Sequence, residues 1–415
     1  MRIAKRFTMV SLVLGVVAAL GLALSGGGRL WAEKSAEMSA LFAEVELLAE
    51  AITVVRSDYV EVVTPKALIY GALKGMIGGL DRHSQFMEPE AYSEMKVDTK
   101  GEFGGVGLEI SLSDEGVLMV VAPLDDTPSS RAGLKPNDRI VKIDGESTRG
   151  FGLSDAVKVL RGRAGSKVVL TVLRESENKV FDVTLTRAII QIQSVKEAQM
   201  LSDHIGYIRI SEFQDNTPRD LNKALKRLRQ EKMKALILDL RNNPGGLLDV
   251  AVEVSQVFLP KDVLVVYTLG RVKEQNLEFK SRDGNPYLDF PIMILVNGGS
   301  ASASEIVAGA LRDHKRAVLV GEKTFGKGSV QTVIPLSDGS AIRLTTSKYY
   351  TPLGRVIHNN GLDPDVEVRP EKSEDVSPRT EPLLPAEDPV VLKAMELIRT
   401  PKLIPDDVQT QIQEK

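Results

Sequence analysis

The chain predicts an α/β fold built from several domains, and three observations carry that prediction. Short apolar runs alternate with amphipathic helical stretches over residues 188–368. A glycine-punctuated, β-rich stretch, 98–187, precedes them, and a helical region, 33–97, comes before that. The 415 residues are enough for two or three domains with a sizeable core.

Taken in order, the first segment reads as an export signal. Arg2, Lys5 and Arg6 precede an apolar run from Met9 to Leu24, followed by Ser25-Gly26-Gly27-Gly28. Leu30-Trp31-Ala32 is a poor cleavage site, so residues 1–32 read either as a signal peptide or as an inner-membrane anchor over 9–24. Both place the rest of the chain in the periplasm or another extracytoplasmic space, with membrane contact only through that segment. In 33–97, Leu41, Val45, Leu48, Ile52 and Val55 recur at helical spacing, and Pro65 opens a second helix.

Within 98–187, Gly104-Gly105-Val106-Gly107-Leu108 is a glycine loop entering a strand. Further strands are expected at Val117–Val121, at Asp138–Gly145 with a tight turn at its end, and at Lys167–Arg174, with a short glycine-ended helix in Pro128–Leu134 and another at Leu153–Leu160. Glycines let successive N–H groups converge on a carboxylate, and the next strand edge can accept an extended peptide. In its order of elements this stretch resembles a PDZ domain. Residues 188–368 hold expected strands at Ile205–Ile210, Ala235–Leu240, Leu264–Tyr267, Pro291–Val296, Ala317–Val320 and Ala341–Thr346. Leu221–Leu228 and Leu247–Phe258 are the expected helices between them. Residues 369–388, rich in Pro, Glu, Asp and Ser, read as an exposed linker, and 389–415 as a C-terminal helical segment.

Composition excludes several classes. A net charge of −3 argues against a nucleic-acid partner. The absence of cysteine rules out disulfides and thiolate zinc sites. Gly321-xxxx-Gly326-Lys327 is a decoy for a phosphate loop, because Gly328 stands where Ser or Thr would hold magnesium. No cofactor or metal ion is called for.

Catalytic chemistry is expected around residue 300. Ser302-Ala303-Ser304-Glu305 has the pattern of a helix capping box. The same geometry puts a serine where backbone N–H groups and the helix dipole favour negative charge, as an attacking alkoxide and its oxyanion require. The four histidines, His83, His204, His314 and His358, offer no evident base. Lys327, between two glycines, is the alternative; to serve as base it must be neutral, which burial promotes. Gln331 could orient it. Asp239-Leu240-Arg241-Asn242-Asn243-Pro244-Gly245-Gly246 ends a buried strand and exposes backbone N–H groups.

Together these residues resemble the carboxyl-terminal processing peptidases, also called tail-specific proteases. The resemblance spans about residues 40–400 and rests on Gly-Glu-Phe-Gly-Gly-Val-Gly at 101–107, the 239–246 run, Ser-Ala-Ser-Ala-Ser-Glu at 300–305, Thr-Phe-Gly-Lys-Gly-Ser-Val-Gln at 324–331 and Tyr-Tyr-Thr-Pro at 349–352. It implies a crotonase/ClpP-like α/β peptidase core with an inserted PDZ domain. By that resemblance the nucleophile falls on Ser302, its general base on Lys327 and the lysine-orienting residue on Gln331, while Ala303 and Gly245 or Gly246 supply an oxyanion hole. Ser304 is the alternative nucleophile. Residues 104–108 would bind a substrate's free C-terminus, and Arg161 would link that binding to catalysis. Protein or peptide substrates are implied; an adaptor protein and a homo-oligomer stay open. A PDZ scaffold with an inactive peptidase-like domain, and a crotonase-like acyl-CoA enzyme, are the competing classes. Leu80-Asp81-Arg82-His83-Ser84 departs from the family in having arginine where proline is frequent.

Overall fold

The computed structural model describes residues 38–400 except 39, 41, 114, 283–286 and 370–383. The expected export segment therefore lies outside the described residues, as do most of the expected linker and the chain beyond Thr400. Among the described residues no helix is long and apolar enough to cross a membrane. The chain divides into two units, residues 1–82 and 83–415.

In the first unit, helices run over 42–58 and Pro65–Gly78. Thr64 caps the second: its Oγ1 accepts from the Ala67 N–H at 3.2 Å, and Pro65 sits in the first turn, where no N–H is needed.

The second unit is built on a six-stranded sheet. Its order is Val195–Met200, Ile205–Ile210, Ala235–Asp239, Ile292–Val296, Ala317–Gly321, Val366–Glu367, parallel throughout except for the first pair. Both faces are covered, which is why the central strands read as unbroken apolar runs. Leu236 and Leu238 turn to one face and pack with Leu221, Leu225, Val250, Val254, Val307 and Leu311 of the helices Thr217–Gln230, Leu248–Gln256 and Ala303–Asp313. Ala235 and Ile237 turn to the other, against Val390, Val391, Ala394 and Leu397 of the C-terminal helix Pro389–Arg399. A second, antiparallel sheet joins Gln85–Met87, Ala341–Tyr350, Leu264–Gly270, Glu278–Lys280 and Ser329–Pro335.

The β-rich module has its own core. Strands Leu108–Leu112, Leu118–Pro123, Arg139–Ile143, Lys167–Arg174 and Lys179–Thr186 form its sheet, over Leu118, Val120, Ile140, Val168, Leu170 and Val172. The chain enters and leaves it through a two-stranded ribbon, Glu102–Gly105 paired antiparallel with Ala188–Gln191.

Three placements differ from expectation. Gln85–Met87, expected in the helical region, is a strand of the second sheet. The helix Pro89–Lys100 runs across the expected boundary at residue 97, and is stopped by Gly101 at φ +66°. The end of the expected linker is bonded into the core: Pro385–Glu387 makes a helical turn, and Asp388 caps the C-terminal helix through Val390 N and Val391 N at 2.8 and 3.2 Å.

Candidate active site

Two neighbouring parallel strands end side by side, where ligands collect in open α/β sheets. From Asp239 the chain turns through Arg241–Gly246; from Val296 it turns through Asn297–Ser302. Hydrogen bonds lace the two loops to each other and to the end of the Ile205–Ile210 strand. Ser300 Oγ donates to the Leu240 carbonyl at 2.7 Å, the Ala301 N–H to the Asn243 carbonyl at 3.0 Å, and Asn243 Nδ2 to the Ile210 carbonyl at 2.8 Å.

Ser302 stands at the head of the Ala303–Asp313 helix with φ +55° and ψ −114°. A residue bearing a Cβ holds such a conformation at a cost of about 1–3 kcal/mol, and only where its surroundings enforce it. Only half of the expected capping box forms. Glu305 Oε2 accepts from the Ser302 N–H at 2.9 Å, but the Glu305 N–H goes to the Ser302 backbone carbonyl at 2.9 Å, so the cap does not consume the Ser302 hydroxyl. Ser304, the alternative nucleophile, is fully buried and donates its hydroxyl to the Asn243 carbonyl at 2.9 Å.

The Glu305 carboxylate ties the backbone of Lys327 to that of Ser302, although among the described residues no hydrogen bond joins Ser302 Oγ to Lys327 Nζ. That carboxylate, fully buried, accepts from Thr324 Oγ1 at 2.5 Å, the Gly326 N–H at 2.8 Å and the Lys327 N–H at 2.9 Å, besides Ser302. Burial pushes the Glu305 carboxyl up, and its hydrogen bonds oppose the rise. The flanking glycines are needed for space: a Cβ on Gly326, at φ +90°, would stand 2.9 Å from Gly361 N, and one on Gly328 2.4 Å from His358 N. Burial lowers the Lys327 pKa, the Arg343 charge lowers it further, and Glu305 works the other way.

Ser302, Ala303, Gly245, Gly246, Lys327 and Gln331 line one cavity of about 360 Å³, with Leu247, Ile306 and Val330 as apolar wall. Gly245 is pressed against the serine: a Cβ there would lie 2.7 Å from Ser302 Cβ. Its N–H, however, donates to Asn243 Oδ1 at 2.9 Å. Gln331 Nε2 donates to Ser329 Oγ at 2.8 Å; among the described residues no bond joins Gln331 to Lys327.

Several residues of the cavity were given no individual role from sequence, although Tyr349 stands in the 349–352 run. Tyr349 is almost wholly buried; its hydroxyl donates to the Lys327 carbonyl. Burial pushes that phenol well above its usual range, Glu305 adds to the rise, and the nearby Ser302 hydroxyl opposes it. Arg343 and Glu212 also line the cavity. Burial and the nearby Asp98 push the Glu212 carboxyl up.

The glycine loop of the β-rich module is held by its carbonyls. Val106 O accepts from Ser129 N and Oγ at 3.0 and 2.7 Å, and Gly107 O from the Leu124 N–H at 2.9 Å and Thr127 Oγ1 at 3.2 Å. Peptide planarity then turns the Gly107 and Leu108 N–H groups to the opposite side. Gly107 sits at φ +78° and a Cβ there would strike Thr127. The Gly162 N–H donates to the Gly104 carbonyl at 2.9 Å, and Arg161 lies over the Phe103 ring, 4.5 Å from its centre. Arg161 thus rests on the entry ribbon and does not line the Ser302 cavity.

Comparison with known proteins identifies the family. The family model described as peptidase family S41 matches residues 204–368, and a PDZ domain model matches 119–174. A carboxy-terminal-processing protease of Bartonella bacilliformis is 44% identical over 325 residues, covering 77% of this chain and 74% of the relative. A carboxyl-terminal-processing protease of Synechocystis sp. is 42% identical over 303 residues, covering 71% and 70%. Among solved structures, a photosystem II D1 C-terminal processing protease aligns at a TM-score of 0.45 and 32% identity, covering 78% of this chain and 93% of that one. The chain belongs to the carboxy-terminal processing proteases, serine-type peptidases of family S41 that carry a PDZ domain.

Proposed function

We propose that this protein is an exported endopeptidase that works through a Ser302–Lys327 dyad and takes substrates by their free C-termini. The observation that carries this reading is Glu305: one buried carboxylate accepts from the backbone N–H of both Ser302 and Lys327. On this reading neutral Lys327 Nζ takes the proton of Ser302 Oγ as it attacks a peptide carbonyl. The oxyanion is received by the Ala303 N–H at the helix start and by the Gly246 N–H, since that of Gly245 is already given to Asn243. Protonated Lys327 returns its proton to the leaving amine, and water then releases the acyl group from Ser302. Gln331 holds the lysine once substrate fills the cavity. The PDZ domain binds the terminal carboxylate at residues 104–108, and Arg161 relays occupancy toward the core. The export reading rests on Arg2, Lys5, Arg6 and the Met9–Leu24 run, and cell fractionation tests it.

The decisive experiment is proteolysis of an unfolded protein with an apolar C-terminus at about pH 7–9. Wild type is compared with Ser302→Ala and Lys327→Ala. Cleavage lost in both variants with the fold retained supports the dyad; cleavage kept in either overturns it. A wild type that does not cleave, alone or with candidate adaptors added, points to a PDZ binding protein with an inactive peptidase-like domain.

A further inference from the structure

The loop that passes beneath Ser302 is anchored at its root by a bridge to the far end of the chain. Asp239 closes its strand wholly buried. Its carboxylate accepts from Tyr207 Oη at 2.8 Å, from the Arg241 N–H at 2.9 Å, and from Arg241 Nε and Nη2 at 3.0 and 2.6 Å. The remaining nitrogen of the guanidinium, Nη1, reaches out to both oxygens of Asp388, at 3.0 and 2.8 Å, 147 residues further along. Arg241 and Asp388 are each only 17% exposed, so the pair is largely shielded from solvent. Asp388 Oδ1 meanwhile caps the C-terminal helix, which packs on the sheet face opposite the Ser302 helix. Three residues after Arg241 the chain reaches Pro244, Gly245 and Gly246. The rest of the loop is held by neutral hydrogen bonds, through Leu240, Asn242 and Asn243, whereas its root is held by a planar guanidinium between two carboxylates.

We propose that Asp388 is a positioning residue for the oxyanion loop: through Arg241 it fixes the Asp239–Gly246 turn, so the C-terminal helix forms part of the catalytic unit. This rests on the proposed role of Gly246 and Ala303 as oxyanion donors. A merely structural Asp388 would cap its helix and no more. Asparagine separates the two roles, because it caps a helix as well as aspartate but cannot form the charged two-oxygen bridge.

The test measures kcat, KM, thermal unfolding and affinity for a peptide aldehyde, whose adduct with Ser302 places an oxyanion in the same hole. It compares the full chain with Asp388→Asn and, where that variant unfolds, Asp388→Ser, a second good cap. The expected result is a fall in kcat of at least about tenfold and a matching loss of aldehyde affinity, with KM and the unfolding midpoint near wild type; removing an oxyanion donor outright costs about 10²–10³. In an Arg241→Lys background, Asp388→Asn should add nothing further. Wild-type kcat in the variant overturns the proposal, as does a loss that follows the unfolding midpoint. Wild type and Ser302→Ala run alongside: if the wild type itself is inactive the dyad reading has failed, whereas an active wild type matched by Asp388→Asn sinks only this inference.

Discussion

Glu305 accepts the Lys327 N–H at 2.9 Å, so a carboxylate in the first turn of the Ser302 helix sets the position of the loop that carries the lysine. The two loops come from different strands, and this carboxylate spans them. Glutamine cannot replace it. One amide oxygen can serve one pair of donors, while the amide nitrogen would face the other pair, donor against donor.

Glu305→Gln is therefore expected to strand about two buried donors at roughly 1–3 kcal/mol each, and to reduce peptide hydrolysis more than tenfold. Denaturant unfolding read together with kcat checks this. A variant that is destabilised yet fully active when folded would mean that the loops keep their register without Glu305.

Arg343 lowers the Lys327 pKa by its charge, in the same direction as burial. The proposed dyad needs the neutral amine, so kcat/KM should rise with pH through an ionisation below the ordinary lysine value of about 10.4. Arg343→Gln removes a repelling cation, which raises the lysine pKa and moves the rising limb to higher pH. A pH–rate profile of the two proteins decides it; an unmoved limb would show that Arg343 is screened from the amine.

The four central strands of the six-stranded sheet were legible because they are buried on both faces and read as continuous apolar runs between helices; its edge strands Val195–Met200 and Val366–Glu367, partly exposed and polar, were not. Nor was Ser329–Pro335. All but one of its residues are half-buried or exposed, beside a glycine-rich run, and its identity as a strand comes from pairing with Ala341–Tyr350. A serine at a helix start and a lysine between glycines leave local traces, so Ser302 and Lys327 were candidates from sequence; their roles were assigned by the family resemblance. Glu305 could be read only as a capping residue, since its other partners lie 19 to 22 residues downstream. Asp388 was hidden by composition: Pro, Glu and Asp around it suggest a linker, and only the folded chain brings Arg241 to it.

The carbonyl-pinned loop at 106–107 leaves its N–H groups to one side, and Gly107 can take no side chain there. Gly107→Val is expected to abolish binding of a peptide with a free carboxylate, measured by fluorescence anisotropy with an amidated peptide as control. Arg161→Ala should still bind that peptide but lose its stimulation of cleavage. Unchanged stimulation would mean that the Arg161–Phe103 stack carries no signal.

Tyr349 places a hydroxyl between Ser302 and the Lys327 carbonyl. Tyr349→Phe keeps the ring and removes that bond, leaving a partly buried carbonyl without that donor. We expect kcat to fall about tenfold, corresponding to one buried hydrogen bond, with little change in KM. Labelling of Ser302 by a fluorophosphonate should slow in parallel. Loss of kcat with normal labelling would place the effect after acylation.

Burial that depresses the Lys327 pKa must also cost stability. The unfolded chain binds the lysine proton up to about pH 10.4, while the folded chain releases it earlier. Between the two values the unfolded state holds more protons, so wild-type stability rises with pH across that window and is lowest below the folded pKa. Lys327→Met fills the same space without a charge to desolvate. It should be inactive yet more stable than wild type at pH 7, with the advantage shrinking as pH approaches 10.4. Urea unfolding at several pH values checks the slope. A variant less stable than wild type at every pH would show that the amine makes a bond worth more than its burial costs, and the lysine would then be held charged rather than kept as a base.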